Sequence, residues 1–330
     1  MRAFVTGGTG FVGSHLVEAL LDRGDEVLLL VRKPERAARL FGDRVGLVPG
    51  DLEDERALRE GCSRADVVFH LAGLTVARKP EDFFRVNRDG TGRLVKAAQE
   101  ASPRPRNLVY VSSLAASGPS SLGRPAVESD PPHPVSFYGK SKLAGEEEVR
   151  RSDLPWSIVR PPTVYGPRDR GLLRMFRLAR KGVLPLVGKP EQELSFVYAG
   201  DLAAAIIAAS AARCAGKTYF ASHPEVVPLI RAAEAIYRAV AAAAGEPVSR
   251  PLVVRPPAFL ARGLLSFIGW TSALAGKATV LSADKARELL AEAWACSPAA
   301  LERDTGWRAE IDLATGLELT ARWYSEHGWL

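Results

Sequence analysis

Residues 1–14 read MRAFVTGGTGFVGS, and the rest of the chain follows from what this stretch requires. A short apolar run stops at Thr6, and apolar residues at helical spacing begin at Phe11. This pattern predicts a strand, a tight turn and a helix. A second apolar run, Val27 to Val31, follows Gly24 and completes a βαβ unit of the kind that opens a dinucleotide-binding fold.

Three glycines lie in this turn, and each meets a separate geometric requirement. Gly7 permits a turn that no side chain allows, Gly10 lets the backbone approach a pyrophosphate, and Gly13 lets the helix pack tightly on the strand. The first helical residues, Phe11 and Val12, offer unpaired N–H groups to phosphates. Glycine-rich turns also serve purely as turns, but the strand and helix on either side favour cofactor binding.

Strands and helices alternate through the first half of the chain. Further strands are predicted at 45–48, 66–70, 107–111 and 156–159. The alternation predicts an α/β fold with a doubly wound parallel sheet, a Rossmann fold, whose ligands lie at the carboxyl ends of the strands. After residue 165 the alternation fails. We therefore predict a nucleotide-binding domain over 1–165, to which 193–222 returns, and a smaller, mostly helical substrate domain over 166–330.

The second half shows shorter segments interrupted by glycine and proline. Strands at 195–197 and 217–220 are predicted to rejoin the main sheet. Helices are predicted at 201–212, 225–244, 257–275, 283–292 and 314–327. The apolar stretch from Leu252 to Gly276 allows either an interfacial membrane helix or a helix that covers the pocket or core, and the second is favoured because isolated apolar runs of this length are usually buried.

Composition excludes several functional classes. The chain has 330 residues, of which 47% are hydrophobic and 25% charged, as in an ordinary globular protein. Its three cysteines and five histidines show neither disulfide nor metal-ligand spacing, so no metal is predicted. The net charge of +6 comes from arginines spread along the chain, which argues against nucleic acid. With no apolar leader, and with membrane contact not favoured, we expect a cytoplasmic protein.

The end of the second strand indicates which cofactor binds. Arg32 and Lys33 stand where NAD-binding proteins of this architecture place an acid for the ribose 2′-hydroxyl. A basic pair there suits the 2′-phosphate of NADP(H), although two solvated surface residues are the alternative. At the next strand end, Asp51, followed by Leu52, either caps the following helix or accepts a hydrogen bond from adenine.

A tyrosine and a lysine one helical turn apart supply the candidate chemistry. Tyr138 and Lys142 project from one face of a predicted helix. A phenol is a poor acid or base at neutral pH, and we expect the nearby ammonium to lower its pKa. Ser113, at the end of the fifth strand, can bond the same substrate oxygen. A helix surface pair and a strand-end hydroxyl are the alternatives, but the dinucleotide turn upstream favours catalysis.

The chain resembles the extended short-chain dehydrogenases/reductases, which include nucleotide-sugar epimerases and dehydratases, dihydroflavonol reductases and 3β-hydroxysteroid dehydrogenases. The resemblance spans almost the full length and rests on the glycine turn, Asp51-Leu52, His70-Leu71-Ala72-Gly73, Asn87 with Gly90-Thr91, Ser112-Ser113, Tyr138 to Lys142, Arg160-Pro161, Val164-Tyr165-Gly166-Pro167 and Asp201-Leu202-Ala203.

The resemblance implies roles for these positions. Tyr138 would be the catalytic acid/base, Ser113 would orient the substrate, and Lys142 would also hold the nicotinamide ribose. Asp51 and Leu52 would flank the adenine. The remaining cofactor contacts would come from Leu71, Ala72, Gly73, Asn87 and Pro161. A homodimer through the tyrosine-bearing helix and its neighbour is also implied.

Two departures bear on the substrate. Leu194-Ser195-Phe196 stands where nucleotide-sugar enzymes carry an arginine that meets the diphosphate, and Ser297 stands where many relatives have an aspartate. Arg287 remains able to contact a phosphate. We therefore predict an NADP(H)-dependent oxidoreductase, with NAD(H) possible, that interconverts a secondary alcohol and a ketone on a small, largely apolar substrate. A nucleotide-sugar epimerase or dehydratase and a non-catalytic NAD(P)-sensing protein are the alternatives.

Overall fold

The computed structural model describes residues 1–186, 188–245, 251–255, 287–288 and 291–330. Its strands are β1 Arg2–Thr6, β2 Glu26–Val31, β3 Gly46–Pro49, β4 Val67–His70, β5 Asn107–Val111, β6 Trp156–Arg160, β7 Thr163–Tyr165, β8 Val183–Pro185, β9 Glu193–Tyr198, β10 Lys217–Phe220, β11 Val226–Pro228, β12 Leu252–Val254 and β13 Ala293–Trp294.

Its α-helices are α1 Phe11–Asp22, α2 Pro34–Phe41, α3 Glu55–Ser63, α4 Pro80–Phe84, α5 Gly90–Glu100, α6 Leu114–Ser117, α7 Phe137–Arg150, α8 Leu173–Arg180, α9 Ala199–Ala208, α10 Leu229–Ala244, α11 Ala299–Thr305 and α12 Leu313–Glu326. A π-helical turn spans Arg85–Asp89, and a 3₁₀ turn spans Ala212–Cys214.

Seven strands form the main sheet in the order β3-β2-β1-β4-β5-β6-β10, and all six neighbouring pairs are parallel. The order reverses between β1 and β4, so the crevice for a ligand opens at the carboxyl ends of these two strands. The predicted doubly wound sheet is confirmed. Apolar runs such as Leu28 to Val31 suit it because helices cover both faces.

Alternate residues of β1 serve the two faces of the sheet. Ala3 and Val5 belong to the core cluster on one face, with Leu16 and Leu20 of α1, while Phe4 belongs to the cluster on the other face. This alternation follows from the two-residue period of a strand. A third cluster lies in the second half of the chain and joins α8, α10 and α12.

Only one of the two later strands rejoins the main sheet. β10 pairs with β6 as predicted, but β9 lies in a smaller sheet with β7, β11 and β13, so the prediction for 195–197 was wrong. Pro161 and Pro162 end β6, because proline cannot continue a hydrogen-bonded strand. The chain restarts beyond them as β7, which lies outside the main sheet. β9 then pairs with β7. The division of the chain near residue 165 stays a prediction.

The helix bounds differ from the predictions in two places. α10 begins at Leu229 and not at 225, because Val226–Pro228 pairs antiparallel with β9. Of the predicted helix 283–292, the structure describes 287–288 as helical and 291–292 as a bend before β13. The helix at 257–275, and most of the apolar stretch that contains it, lie outside the described residues. Within the described ranges no helix is long and apolar enough to cross a membrane.

Candidate active site

The glycine turn between β1 and α1 has the shape that a pyrophosphate requires. Gly7 has φ +75°, and a Cβ there would lie 2.6 Å from the Ala72 nitrogen. A Cβ on Gly13 would lie 2.1 Å from the Gly7 oxygen, so neither position admits a side chain. A Cβ on Gly10 would meet the Gly7 oxygen alone, at 3.1 Å, which makes this the open side of the turn. α1 starts there without a side-chain cap, so its first N–H groups suit an anionic ligand.

His70 fixes the neighbouring strand end. Its Nδ1 lies 2.7 Å from the Thr6 hydroxyl and its Nε2 lies 2.9 Å from the Thr91 hydroxyl. Because Thr91 donates its proton to the Asn87 carbonyl, it accepts from His70, which places the ring proton on Nε2. Burial, with a smaller effect of Lys142, lowers the pKa of His70 to about 3. A neutral imidazole therefore ties β4 to β1 where Leu71-Ala72-Gly73 leaves the sheet.

Arg32, Lys33 and Asp51 lie at the carboxyl ends of the adjacent strands β2 and β3. Arg32 and Lys33 directly follow β2, and both are exposed. Asp51 follows β3 and accepts from the Glu53 N–H at 2.8 Å, so it caps a turn. The cap of α3 is Asp54, which accepts from the Ala57 N–H at 3.0 Å. The alternative that Asp51 caps this helix was therefore wrong, and its place beside an adenine pocket stays a proposal.

Asn87 links the segment that follows β4 to the tyrosine-bearing helix α7. It is fully buried in the π-helical turn, and such turns are frequent at functional sites. Its Oδ1 accepts from the Leu74 N–H at 2.7 Å, and its Nδ2 donates to the Leu74 carbonyl and to the Ser141 hydroxyl, each at 2.9 Å. Asn87 thus holds the segment that follows Gly73 against α7.

Ser113 and Tyr138 meet at the carboxyl end of β5. Ser113 caps α6 by accepting from the Ala115 N–H at 3.1 Å, and its hydroxyl is near enough to the Tyr138 phenol to lower the pKa of that group. Burial outweighs this effect and, with a smaller contribution from the charge of Glu288, raises the pKa of Tyr138 to about 12. The expectation that Lys142 lowers this pKa was wrong, because desolvation outweighs the other contributions and the ammonium of Lys142 points elsewhere.

Lys142 lies one helical turn after Tyr138 and is 4% exposed. Its Nζ donates to the Val111 carbonyl at 2.8 Å and sits 4.3 Å from the centre of the Tyr110 ring, a cation–π distance. Burial lowers the pKa of Lys142 to about 7, and the nearby carboxylate of Glu146 opposes this shift. The lysine is held at the end of β5, on the same side of α7 as Tyr138.

A buried acid was missed by sequence reasoning. Glu146 lies one further turn along α7 and is fully buried. It accepts from the Ser112 hydroxyl at 2.5 Å, from Arg160 at 2.8 and 2.6 Å, and from Arg150 at 2.8 Å. These bonds lower its pKa despite burial. The i, i+4, i+8 spacing of Tyr138, Lys142 and Glu146 was the available signal, since it puts a carboxylate on the same face of α7 as Tyr138 and Lys142.

Two further glycines set how closely α7 approaches the site. A Cβ on Gly139 would lie 2.2 Å from the Ala115 oxygen of α6, and one on Gly145 would lie 2.4 Å from the Asn87 oxygen. Pro161 contributes its carbonyl, which accepts from the Leu114 N–H at 2.8 Å. These contacts hold Ser113 and Tyr138 together from both helices.

The positions that bear on a diphosphate lie in the second half of the chain. Leu194 is partly buried against the third core cluster. An apolar side chain therefore packs at the position where nucleotide-sugar enzymes carry an arginine. Arg170, Arg174 and Arg287 are all exposed. Ser297 accepts from the Ala299 N–H at 3.3 Å, at the start of α11. None of these three exposed arginines supplies the buried cation that Leu194 lacks.

Comparisons with known proteins agree with this geometry. The model of the NAD dependent epimerase/dehydratase family matches residues 3–220. The chain is 34% identical over 329 residues to a ceramide reductase of Caulobacter vibrioides, which covers 99% of this chain and 95% of the relative. It is 30% identical over 256 residues to a 2-alkyl-3-oxoalkanoate reductase of Stenotrophomonas maltophilia, which covers 73% and 76%.

A solved structure extends the likeness to the whole fold. The UDP-glucose 4-epimerase of Thermus thermophilus, in complex with NAD, superposes with a TM-score of 0.75 at 28% identity. The match covers 98% of this chain and 99% of the epimerase.

Proposed function

The chain belongs to the NAD-dependent epimerase/dehydratase family, within the extended short-chain dehydrogenases/reductases, and from this premise we propose that it is an NADP(H)-dependent ketone reductase. The observation that carries the proposal is the contact between Ser113 and Tyr138 at the end of β5, with Lys142 one turn away. Three groups suited to a carbonyl oxygen and a ribose therefore lie near the carboxyl end of β5, which supports the proposal. A protein that only senses the cofactor has no need of this set.

Tyr138, Ser113 and Lys142 have separate roles in the proposed reduction. A bound nicotinamide cofactor would supply the hydride to the carbonyl carbon. Tyr138 gives its phenolic proton to the carbonyl oxygen, which becomes the alcohol, and the Ser113 hydroxyl orients that oxygen. With a pKa of about 12, Tyr138 holds its proton at neutral pH, which is the form that ketone reduction uses. Lys142 is proposed to hold the ribose hydroxyls.

The residues present fit the cofactor. The open side of Gly10 and the uncapped start of α1 suit the pyrophosphate, and the exposed Arg32 and Lys33 suit a 2′-phosphate. We therefore propose NADP(H) over NAD(H). A homodimer through the tyrosine-bearing helix and its neighbour stays a prediction.

The substrate is proposed to be a largely apolar ketone that carries an alkyl chain. Two relatives, a ceramide reductase and a 2-alkyl-3-oxoalkanoate reductase, are named for lipid-like substrates. They favour a longer chain than the small substrate predicted from the sequence. Leu194 agrees, because an apolar side chain stands where nucleotide-sugar enzymes carry an arginine.

The test is oxidation of NADPH, followed by absorbance, with a panel of ketones. The panel contains a ceramide oxidised to the ketone, a 2-alkyl-3-oxoalkanoate, a short cyclic ketone and UDP-glucose. We expect turnover of the first two, loss of it in Tyr138→Phe, and formation of an alcohol detected by mass spectrometry. UDP-glucose is incubated separately with the oxidised cofactor, and its C4 epimer is separated by chromatography, because epimerisation consumes no NADPH. Formation of the epimer, with no ketone reduced, would contradict the proposal.

A nucleotide-sugar epimerase is the second candidate, and the fold of the Thermus thermophilus enzyme favours it. That reaction also uses a nicotinamide cofactor, but its substrate carries a diphosphate. Burying such a group needs a matched cation. Leu194 cannot act as one, so we rank this candidate second.

A further inference from the structure

A buried carboxylate from the second half of the chain reaches the start of the tyrosine-bearing helix. Glu288 is 6% exposed, and Ser136 donates its hydroxyl proton to the Glu288 carboxylate. The same Ser136 hydroxyl accepts from the Gly139 N–H at 3.0 Å and so caps α7. One buried hydroxyl therefore links the carboxylate to the helix turn that contains Tyr138.

Glu288 is itself held from the substrate side. The indole N–H of Trp294 donates to the Glu288 carbonyl at 2.7 Å. Trp294 belongs to β13 and pairs with Leu194 of β9. A continuous path of bonds thus runs from the smaller sheet, through Glu288 and Ser136, to the first turn of α7.

The first turn of α7 is where Tyr138 needs support. The first N–H groups of a helix lack partners within it, so this turn loosens unless a side chain caps it. The turn also packs against α6 without space for a side chain at Gly139, where a small shift changes the distance between Tyr138 and Ser113. Misplacing a reacting group by about 1 Å can cost roughly 100-fold in rate.

We propose that Glu288 is a positioning residue for Tyr138, which it holds in place through Ser136 at the start of α7. The proposal rests on the proposed function, since it treats Tyr138 as the proton donor. A carboxylate has about four sites for donors, so this role leaves room for further partners of Glu288. Its charge also faces the phenol and raises the pKa of Tyr138.

Three single variants of the full-length chain, the double variant Glu288→Ala/Ser136→Ala and one control test the proposal. Glu288→Gln keeps an amide oxygen that can accept from Ser136, whereas Glu288→Ala and Ser136→Ala remove the link from either side. Glu292→Ala is the control, because this glutamate is on the same segment but exposed, paired with Lys189 at 3.7 Å. Ketone reduction gives kcat and KM, and hydrogen–deuterium exchange at residues 137–140 reports the first turn of α7 without any substrate.

Glu288→Ala and Ser136→Ala should each lower kcat by about 10- to 100-fold, with KM within about 3-fold of wild type. Both should speed exchange at residues 137–140. Glu288→Gln should restore kcat to within about 3-fold, and the double variant should be no worse than either single one, since both act through one link. Glu292→Ala should behave as wild type.

Wild-type kcat and exchange in Glu288→Ala would overturn the proposal, and so would a Glu288→Gln variant as impaired as Glu288→Ala. If Glu288→Ala does not fold, Glu288→Met, which keeps the side-chain volume and removes the acceptor for Ser136, is judged by the same criteria. If the wild type reduces no ketone, the proposed function fails, whereas the exchange measurement still decides whether Glu288 holds the turn.

Discussion

The guanidinium of Arg160 makes two hydrogen bonds, of 2.8 and 2.6 Å, to the carboxylate of Glu146, and both side chains are buried. The pair joins the end of β6 to the middle of α7. Removing one partner of such a pair typically costs about 3–5 kcal/mol, and the Arg150 that would remain beside Glu146 is 34% exposed, so it replaces the buried guanidinium only in part. We expect Arg160→Met to lower the free energy of unfolding by an amount in this range, measured by urea denaturation.

Arg151 provides the matched control for this prediction. It pairs with Glu147 and Glu148 on the same helix, but its side chain is 70% exposed. Arg151→Met should therefore change the free energy of unfolding by less than about 1 kcal/mol. Equal effects of the two substitutions would show that burial of the Arg160 pair does not matter.

Removal of the Tyr138 phenol should lower kcat alone, whereas removal of the Lys142 ammonium should lower both kcat and cofactor affinity. Tyr138→Phe should lower kcat by at least about 100-fold, the scale of general acid catalysis, and leave NADP(H) affinity nearly intact. Lys142→Ala should impair both, because Lys142 is proposed to hold the ribose as well. Fluorescence titration with NADPH separates the effects, and Lys140→Ala, an exposed lysine of the same helix, is the control. Substantial activity in Tyr138→Phe would show that another group donates the proton.

The main sheet was predictable because its signals are local. Strands covered on both faces read as continuous apolar runs, and the spacing of Gly7, Gly10 and Gly13 follows from backbone geometry at one turn. Partners distant in sequence carry no such signal. The pairing of β9 with β7, and of Arg160 with Glu146, depends on which edges and helix faces remain free after the sheet has formed.

The placement of the candidate residues was predictable, whereas their pKa values were not. Ser113, Tyr138 and Lys142 were identified by spacing, and they lie at one strand end. The pKa of Tyr138 moved opposite to the expectation, because desolvation depends on how completely the fold encloses the phenol. Glu288 was missed for a related reason: 150 residues of sequence separate it from Tyr138, and no local pattern predicts that they meet.

Acid should destabilise the protein through His70. The folded-state pKa of about 3 lies below the ordinary value of 6.5, so between these pH values the unfolded chain binds a proton that the folded chain does not. Stability conferred by neutral His70 is thus complete above pH 6.5 and falls as the pH drops towards 3, by up to about 1.4 kcal/mol per pH unit.

The comparison for His70 is His70→Gln, which keeps a donor for Thr91 and does not titrate in this range. Urea denaturation at pH 7 and pH 5 should show a smaller loss of stability in the variant than in the wild type. His15, whose pKa burial lowers to about 4, leaves some pH dependence in both. An identical pH dependence in the two proteins would refute the role assigned to His70.

Charge reversal at the end of β2 should change cofactor preference. Arg32→Asp replaces a cation by an acid that can accept from a ribose 2′-hydroxyl and repels a 2′-phosphate. We expect at least a tenfold loss of NADP(H) affinity, about 1.4 kcal/mol, with NAD(H) affinity kept or improved. Titrations of both cofactors measure this, with Arg322→Asp, an exposed change of equal charge on α12, as the control. Tighter binding of NAD(H) than NADP(H) by the wild type would contradict the proposal.

Nucleoside diphosphates should not bind beside the cofactor. A diphosphate removed from water needs paired cations, most effectively a bidentate guanidinium, and Leu194 supplies none. Arg174 and Arg287 are exposed, so screening by solvent weakens what they offer. With saturating NADP⁺, we expect UDP, TDP and GDP to leave the melting temperature unchanged, whereas a ligand at 100 times its Kd would stabilise the fold by about 2.7 kcal/mol. Saturable stabilisation by one of them, abolished by Arg174→Ala or Arg287→Ala, would instead favour the epimerase and dehydratase branch, because only a built diphosphate site depends on a single arginine in this way.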